Sequence, residues 1–173
     1  KNRSSVAVLD GSESAEELKS LGEDIFTYFG LGCRNVSKLY VPRDYKFDFF
    51  FESIVDFGYV NDHNKYKNNY DYSNAIYLIG QHIYLTNNFL IVREDPALSA
   101  RISCIHYEYY DDKESLTMHL KNMDEEIQCF VSKDGVGDLP HTAFGDCQKP
   151  QFLDYADRVD TMSFLTSLYD SSN

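Results

Sequence analysis

The stretch SSVAVLDGSESAEELKSLGEDIFTYFGLGCRNVSKLYVP, Ser4 to Pro42, decides how the rest of the chain is read. Val6, Ala7, Val8 and Leu9 make a short continuous apolar run, the pattern of a strand buried on both faces, and Asp10-Gly11 is turn chemistry. Ser14 and Glu17 stand at capping-box spacing, so a helix follows. Leu18, Leu21, Ile25, Phe26 and Phe29 then recur at helical period until Gly30 stops it. Val36–Val41 reads as the next strand, closed by Pro42.

The alternation continues outward. Phe47, Phe50, Phe51, Ile54, Val55 and Phe57 crowd a second helix, and the tyrosine-rich Tyr66–Asn74 leads into apolar Ala75–Ile79, where another helix is expected. Phe89–Val92, Ile102–Tyr109 and Ile127–Val131 read as strands. Asp111 and Glu114 set a capping box ahead of Leu116, Leu120 and Met123. Lys133–Pro150, with three glycines and two prolines, is a loop; Phe152–Ala156 reads as helical and Met162–Leu168 as extended. The pattern predicts an α/β fold, a largely parallel sheet flanked by helices, in one domain over residues 1–173.

Composition narrows the function classes. With 28 acidic against 16 basic side chains and a formal charge of -12, most of the surface would repel a nucleic acid or an anionic membrane. No stretch approaches the roughly 20 apolar residues of a membrane span, and no signal peptide is visible, so a cytoplasmic place is the expectation. The chain starts at Lys1 and enters an apolar run at once, which suggests a fragment. Five scattered histidines (His63, His82, His106, His119, His141) show no zinc spacing, so no metal is expected.

Four cysteines, Cys33, Cys104, Cys129 and Cys147, lack ligand-like pairs and read as reduced thiols. Cys104 and Cys129 fall inside apolar strands and suit packing, whereas Cys147 lies in the glycine-containing loop, where it could be exposed and is the one competitor nucleophile, near Lys149 and His141. Cys33 follows a helix stop, precedes a strand, and sits between permissive glycines and a cation. Such a loop exposes sulfur, and a neighbouring positive charge favours the thiolate that attacks carbonyl carbon. Gly32, Arg34 and Asn35 are the nearest groups for oxyanion or thiolate support, although Arg34 could equally pair with an acidic neighbour. On these residues alone, a buried structural thiol is the better reading of any one cysteine.

A resemblance shifts that balance. NRSSVAVLDG (Asn2–Gly11) and DIFTYFGLGCRNVSKLYVP (Asp24–Pro42) resemble the nucleophile region of bacterial acyl-CoA reductases related to the fatty-acid reductase of luminescence systems, within the aldehyde dehydrogenase superfamily. HNKYKNNYDYSNAIYL (His63–Leu78), ISCIHYEYYDD (Ile102–Asp112) and FGDCQKPQFLDYADRVDTMSFL (Phe144–Leu165) are similar to later segments of the same family, so the likeness covers nearly the whole chain. One departure is Phe144-Gly145-Asp146, where aldehyde dehydrogenases commonly carry a second glycine.

The resemblance implies a catalytic region resembling the aldehyde dehydrogenase catalytic domain. Cys33 would take an acyl group from acyl-CoA as a thioacyl-enzyme, and NADPH would reduce it to aldehyde. It also implies that the oxyanion asparagine, a glutamate and the cofactor-binding domain lie upstream of Lys1, and no glycine-rich dinucleotide fingerprint is found in this chain. Glu94 falls near the place of a glutamate that contacts the nicotinamide ribose, and His141 and Phe144 near the active-site rim. The resemblance also implies that the final extended run, Met162–Leu168, pairs with an oligomerising hairpin not found in this chain, so its open edge could associate with another copy non-natively. Two other readings stand beside this one: a cysteine hydrolase or acyltransferase using Cys33 with an imidazole, and a non-catalytic binding domain.

Overall fold

β1 (Ser4–Val8) is buried from Ser5 onward, and it is paired on both edges. In the computed structural model, which describes residues 3–151, 154 and 160–170, it lies between β2 (Val36–Pro42) and β6 (Ile127–Ser132), parallel to each. β5 (Cys104–Tyr110) adds to β2, β4 (Ile91–Glu94) adds to β5, and the two-residue β3 (Leu85–Thr86) closes that side antiparallel. The sheet order is β3-β4-β5-β2-β1-β6, so the expected α/β class holds.

Alternate residues of β1 face opposite layers. Ala7 packs with Leu18, Leu21 and Ile25 of α1 (Ala15–Phe26) and with Phe47 and Phe50 of α2 (Phe47–Ser53). Val6 and Val8 pack with Leu116 and Leu120 of α4 (Lys113–Asn122) on the other face. α3 (Asn64–Ile79) lays Tyr70 and Tyr77 against Ile91 and Cys104 of β4 and β5. Two bulges break the ladder beside Ser5. Gln128 and Cys129 share the place opposite it on β6, and Ser37 is the extra residue on β2.

Several boundaries differ from the sequence reading. α1 ends at Phe26 rather than Gly30, for reasons given below. α2 stops at Ser53 and the chain continues as tight 3-10 turns over Val55–Asp62, which still bury Phe57 and Val60. The cap of α4 is Asp112, whose carboxylate accepts from the Ser115 N–H at 2.7 Å; Asp111 instead pairs with Arg43. Met162–Leu168 is helical, within α5 (Thr161–Asp170), because the Asp160 carboxylate accepts from the Met162 and Ser163 N–H groups and starts a helix. The helical reading of Phe152–Ala156 lies outside the described residues. Among the described residues no helix is long and apolar enough to cross a membrane.

Candidate functional site

The loop that presents Cys33 is built from backbone that most side chains avoid. After α1, Tyr28 (φ 54°), Phe29 (φ 58°) and Gly30 (φ 72°) occupy the left-handed region in succession. For the two non-glycine residues this costs on the order of 1 kcal/mol or more each, so the surroundings must hold it. Phe29 stacks on the His63 ring, centroids 4.3 Å apart. The Asn35 amide nitrogen reaches the carbonyls of Asp24 (3.0 Å), Ile25 (3.2 Å) and Thr27 (2.7 Å), orphan acceptors at the end of α1. Its two hydrogens serve three carbonyls, so one is shared. The Asn35 Oδ1 accepts from the Gly32 N–H at 2.8 Å, and the Ser5 hydroxyl donates to the Cys33 carbonyl at 2.9 Å.

Cys33 is thereby fixed at its backbone, and it is the one exposed cysteine of the four. It lines an open cleft of about 560 Å³ with Arg3, Ser4, Gly32, Ser99 and Ile102. The cleft lies at the amino ends of β1 and β2. Arg3 was not singled out from sequence; its Nη1 is buried in the wall with no hydrogen-bond partner among the described residues. Among those residues no histidine and no carboxylate lines the cleft, so the imidazole needed by a cysteine hydrolase is not beside Cys33.

The other candidates are dispersed. Gly32 and Asn35 spend their polar groups on each other and on the end of α1. Arg34, next to Cys33, turns away from it: Nη1 lies 3.5 Å from the Cys129 sulfur and 3.3 Å from the Cys147 carbonyl. His141 lines a second open cleft of about 590 Å³ together with Arg34 and Cys129. Phe144 is partly buried against the α1 layer, and Glu94 lines a third cleft with Arg93 and Glu108, beside β4 and β5.

Cys147 is fully buried, not exposed as its loop position suggested. The reason is Asp24, a buried carboxylate on α1 that accepts from the Gly145 N–H at 2.7 Å and the Cys147 N–H at 3.0 Å, drawing the loop onto the core. Burial pushes the Asp24 carboxyl up to about 6, against those two bonds. Only the partners' distance along the chain hid it.

No family model matches the sequence, and no curated protein matches it. Similar solved structures exist. One is an NAD-dependent aldehyde dehydrogenase from Sinorhizobium meliloti, 8% identical over 76% of this chain and 32% of that one, TM-score 0.49. Another is the Delta-pyrroline-5-carboxylate dehydrogenase from Mycobacterium tuberculosis bound with NAD, 13% identical over 78% of this chain and 31% of that one, TM-score 0.44. The chain spans about a third of the length of each. The likeness carries no residue's role across.

The opposite end of the sheet bears on a nucleotide cofactor. Chain connections leave β1 and reach β6 on opposite faces, so the crevice at their carboxyl ends is where a doubly wound sheet commonly takes a phosphate. Here Asp10, Glu13 and Glu17 stand beyond the end of β1, with Lys113 and Lys133 already paired to Asp10 and Glu17. Glu13 accepts from the Asp10 and Gly11 N–H groups (2.6 and 3.1 Å), Ser14 and Glu17 cap α1 reciprocally, and Glu17 pairs with Lys133 at 3.0 Å. These residues do not fit a nucleotide phosphate.

Proposed function

We propose that this chain is the acyl-carrying region of an acyl-CoA reductase, an aldehyde dehydrogenase-like oxidoreductase, with Cys33 as its nucleophile. The observation that carries the reading is the placement of Cys33: an exposed cysteine lining an open cleft, on a backbone held at Ser5, Gly32 and Asn35. A thiol held for packing would be buried, as Cys104 is in the α3 layer. The sequence resemblance supplies the reaction class.

In this reading the Cys33 thiolate attacks the thioester carbonyl of acyl-CoA. The carbon-sulfur bond to CoA breaks, CoA leaves as its thiol after taking a proton, and the acyl group stays on Cys33. The Cys33 N–H, with no hydrogen bond to the described residues, is the oxyanion donor. Arg3 holds an anionic group of the substrate. NADPH supplies hydride in the reductases that the sequence resembles; its phosphates would be held by a partner domain, since this chain's own carboxyl-end crevice does not suit them.

The test is the first half-reaction. Incubated with a long-chain acyl-CoA, the chain should gain one acyl group, mapped by mass spectrometry to Cys33, and Cys33→Ala should gain none. An adduct that persists in Cys33→Ala overturns the assignment. NADPH added to this chain alone should release no aldehyde.

A further inference from the structure

We propose that Cys129 and Cys147 are a second reactive site, a peroxide-sensitive thiol pair in which Cys129 is oxidised from the cleft and Cys147 closes a disulfide onto it. The site is independent of the Cys33 reading.

The geometry is specific. Cys129 lies in the β6 bulge opposite Ser5, which turns its sulfur to the face where the Phe144–Cys147 turn is docked. The two residues lie in one buried cluster, and one guanidinium nitrogen of Arg34 reaches both, at the Cys129 sulfur (3.5 Å) and the Cys147 carbonyl (3.3 Å). Only Cys129 opens outward, into the cleft lined by Arg34, Gln128, His141 and Thr142. Cys147 has no exposure, and its backbone is held by Asp24. One sulfur is reachable and the other is stationed behind it.

Charge agrees with the order of events. The Cys147 hydrogen bond, with help from Arg34 and against burial, holds the Cys129 thiol below its usual range, and the same hydrogen bond and burial push Cys147 up. The neighbouring Asp24 carboxylate works against a thiolate at either sulfur. Ser5 adds little, because its single proton already goes to the Cys33 carbonyl. Cys129 is thus the attacking thiolate and Cys147 the resolving thiol.

The Cys129 thiolate sulfur attacks one oxygen of hydrogen peroxide. The O–O bond breaks, the departing hydroxide takes a proton to become water, and Cys129 becomes a sulfenic acid. The Cys147 sulfur then attacks the Cys129 sulfur. The S–O bond breaks, the released hydroxide takes the Cys147 proton, and a second water leaves. The two sulfurs together lose two electrons, and the two peroxide oxygens gain them.

The experiment treats the folded chain with a small excess of hydrogen peroxide at neutral pH, then blocks free thiols and maps peptides. The expected product has lost about 2 Da and two blockable thiols, with Cys129 and Cys147 in one linked peptide. Cys147→Ser should stop at a sulfenic acid on Cys129, trapped by dimedone. Cys33→Ser should still form the linked peptide, so failure of the acylation reading and failure of this one are distinguishable. Oxidation confined to Cys33, or a linked peptide formed only after unfolding, overturns the proposal. The wild-type map decides even if a variant does not fold.

Discussion

Cys33 and Cys129 both lie beside Ser5, one in the loop before β2 and one in the bulge of β6, yet their surroundings give them different chemistry. Cys33 faces an open cleft in which Arg3 is the one charged side chain among the described residues, and Cys129 faces Arg34 and a second thiol. Arg3 separates a substrate-holding role from a structural one. Arg3→Ala should raise the acyl-CoA concentration needed for half-maximal acylation of Cys33 by about tenfold, the worth of one charge-assisted hydrogen bond. The saturated rate should be unaltered, and Arg3→Lys should recover much of the loss. Acylation rates across a range of acyl-CoA concentrations measure this; an unchanged half-saturation point would remove Arg3 from the substrate site. Cys33 was singled out only through the family resemblance, since on its neighbouring glycines, cation and strand alone a buried thiol was the better reading. Arg3, Asp24 and the Cys129–Cys147 pair were not, because their significance lies in partners far along the chain; Asp24 binds residues 121 and 123 positions away.

At the scale of elements, α1 shows what local sequence can and cannot reveal. Its start was plain, since a capping box is written in four adjacent residues, and both reciprocal bonds form. Its end was misplaced because Asn35, well past the helix, terminates it. The periodic position of Phe29 looked helical but reflects packing of a left-handed turn onto His63 and Tyr66. Asn35→Ala should therefore destabilise the chain by about 3 kcal/mol, the combined loss of buried hydrogen bonds to the α1 carbonyls and Gly32. Urea unfolding followed by circular dichroism gives the value. The same variant should alter the alkylation rate of Cys33, since the loop loses its frame. α5 was misread for a related reason: Asp160 as a cap outweighs the apolar run that suggested an extended segment.

For the whole molecule, the parallel α/β layout was readable from the alternation of apolar runs and amphipathic stretches, while strand order, bulges and the position of each cleft depend on pairings that no local pattern encodes. Lys38 illustrates the gap: it sits within a strand pattern, yet is fully buried, its ammonium paired with Glu108 at 2.7 Å and with the Asp95 carbonyl. Glu108→Gln should leave that ammonium without a counter-ion and cost about 3 kcal/mol or more by urea unfolding, whereas Lys38→Met should be far milder. The pH response of the fold follows from Asp24. Its carboxyl holds a proton more tightly in the folded chain than in the unfolded one, with the folded value at about 6. The neutral form thus contributes stability that is fully present below about pH 4 and is lost as pH rises through about 6, up to about 3 kcal/mol in all. Carboxylates such as Asp10 and Asp112 are shifted down and act oppositely, so the measurable quantity is a difference. Melting temperatures of wild type minus Asp24→Asn should fall across this window, and a flat difference would sink the assignment.

The pairing of β1 with β6 also dictates when the protein can be finished. β1 gains its first neighbour, β2, after a short helix, but the second, Ile127–Ser132, follows only after all the other strands of the sheet. Until β6 joins, the first strand therefore has one bare apolar edge, and closing it means bringing together segments far apart in the chain, a slow step. A growing chain in that condition is most exposed to pairing with a second copy of itself. Folding is complete only when the last strand of the sheet slots in beside the first.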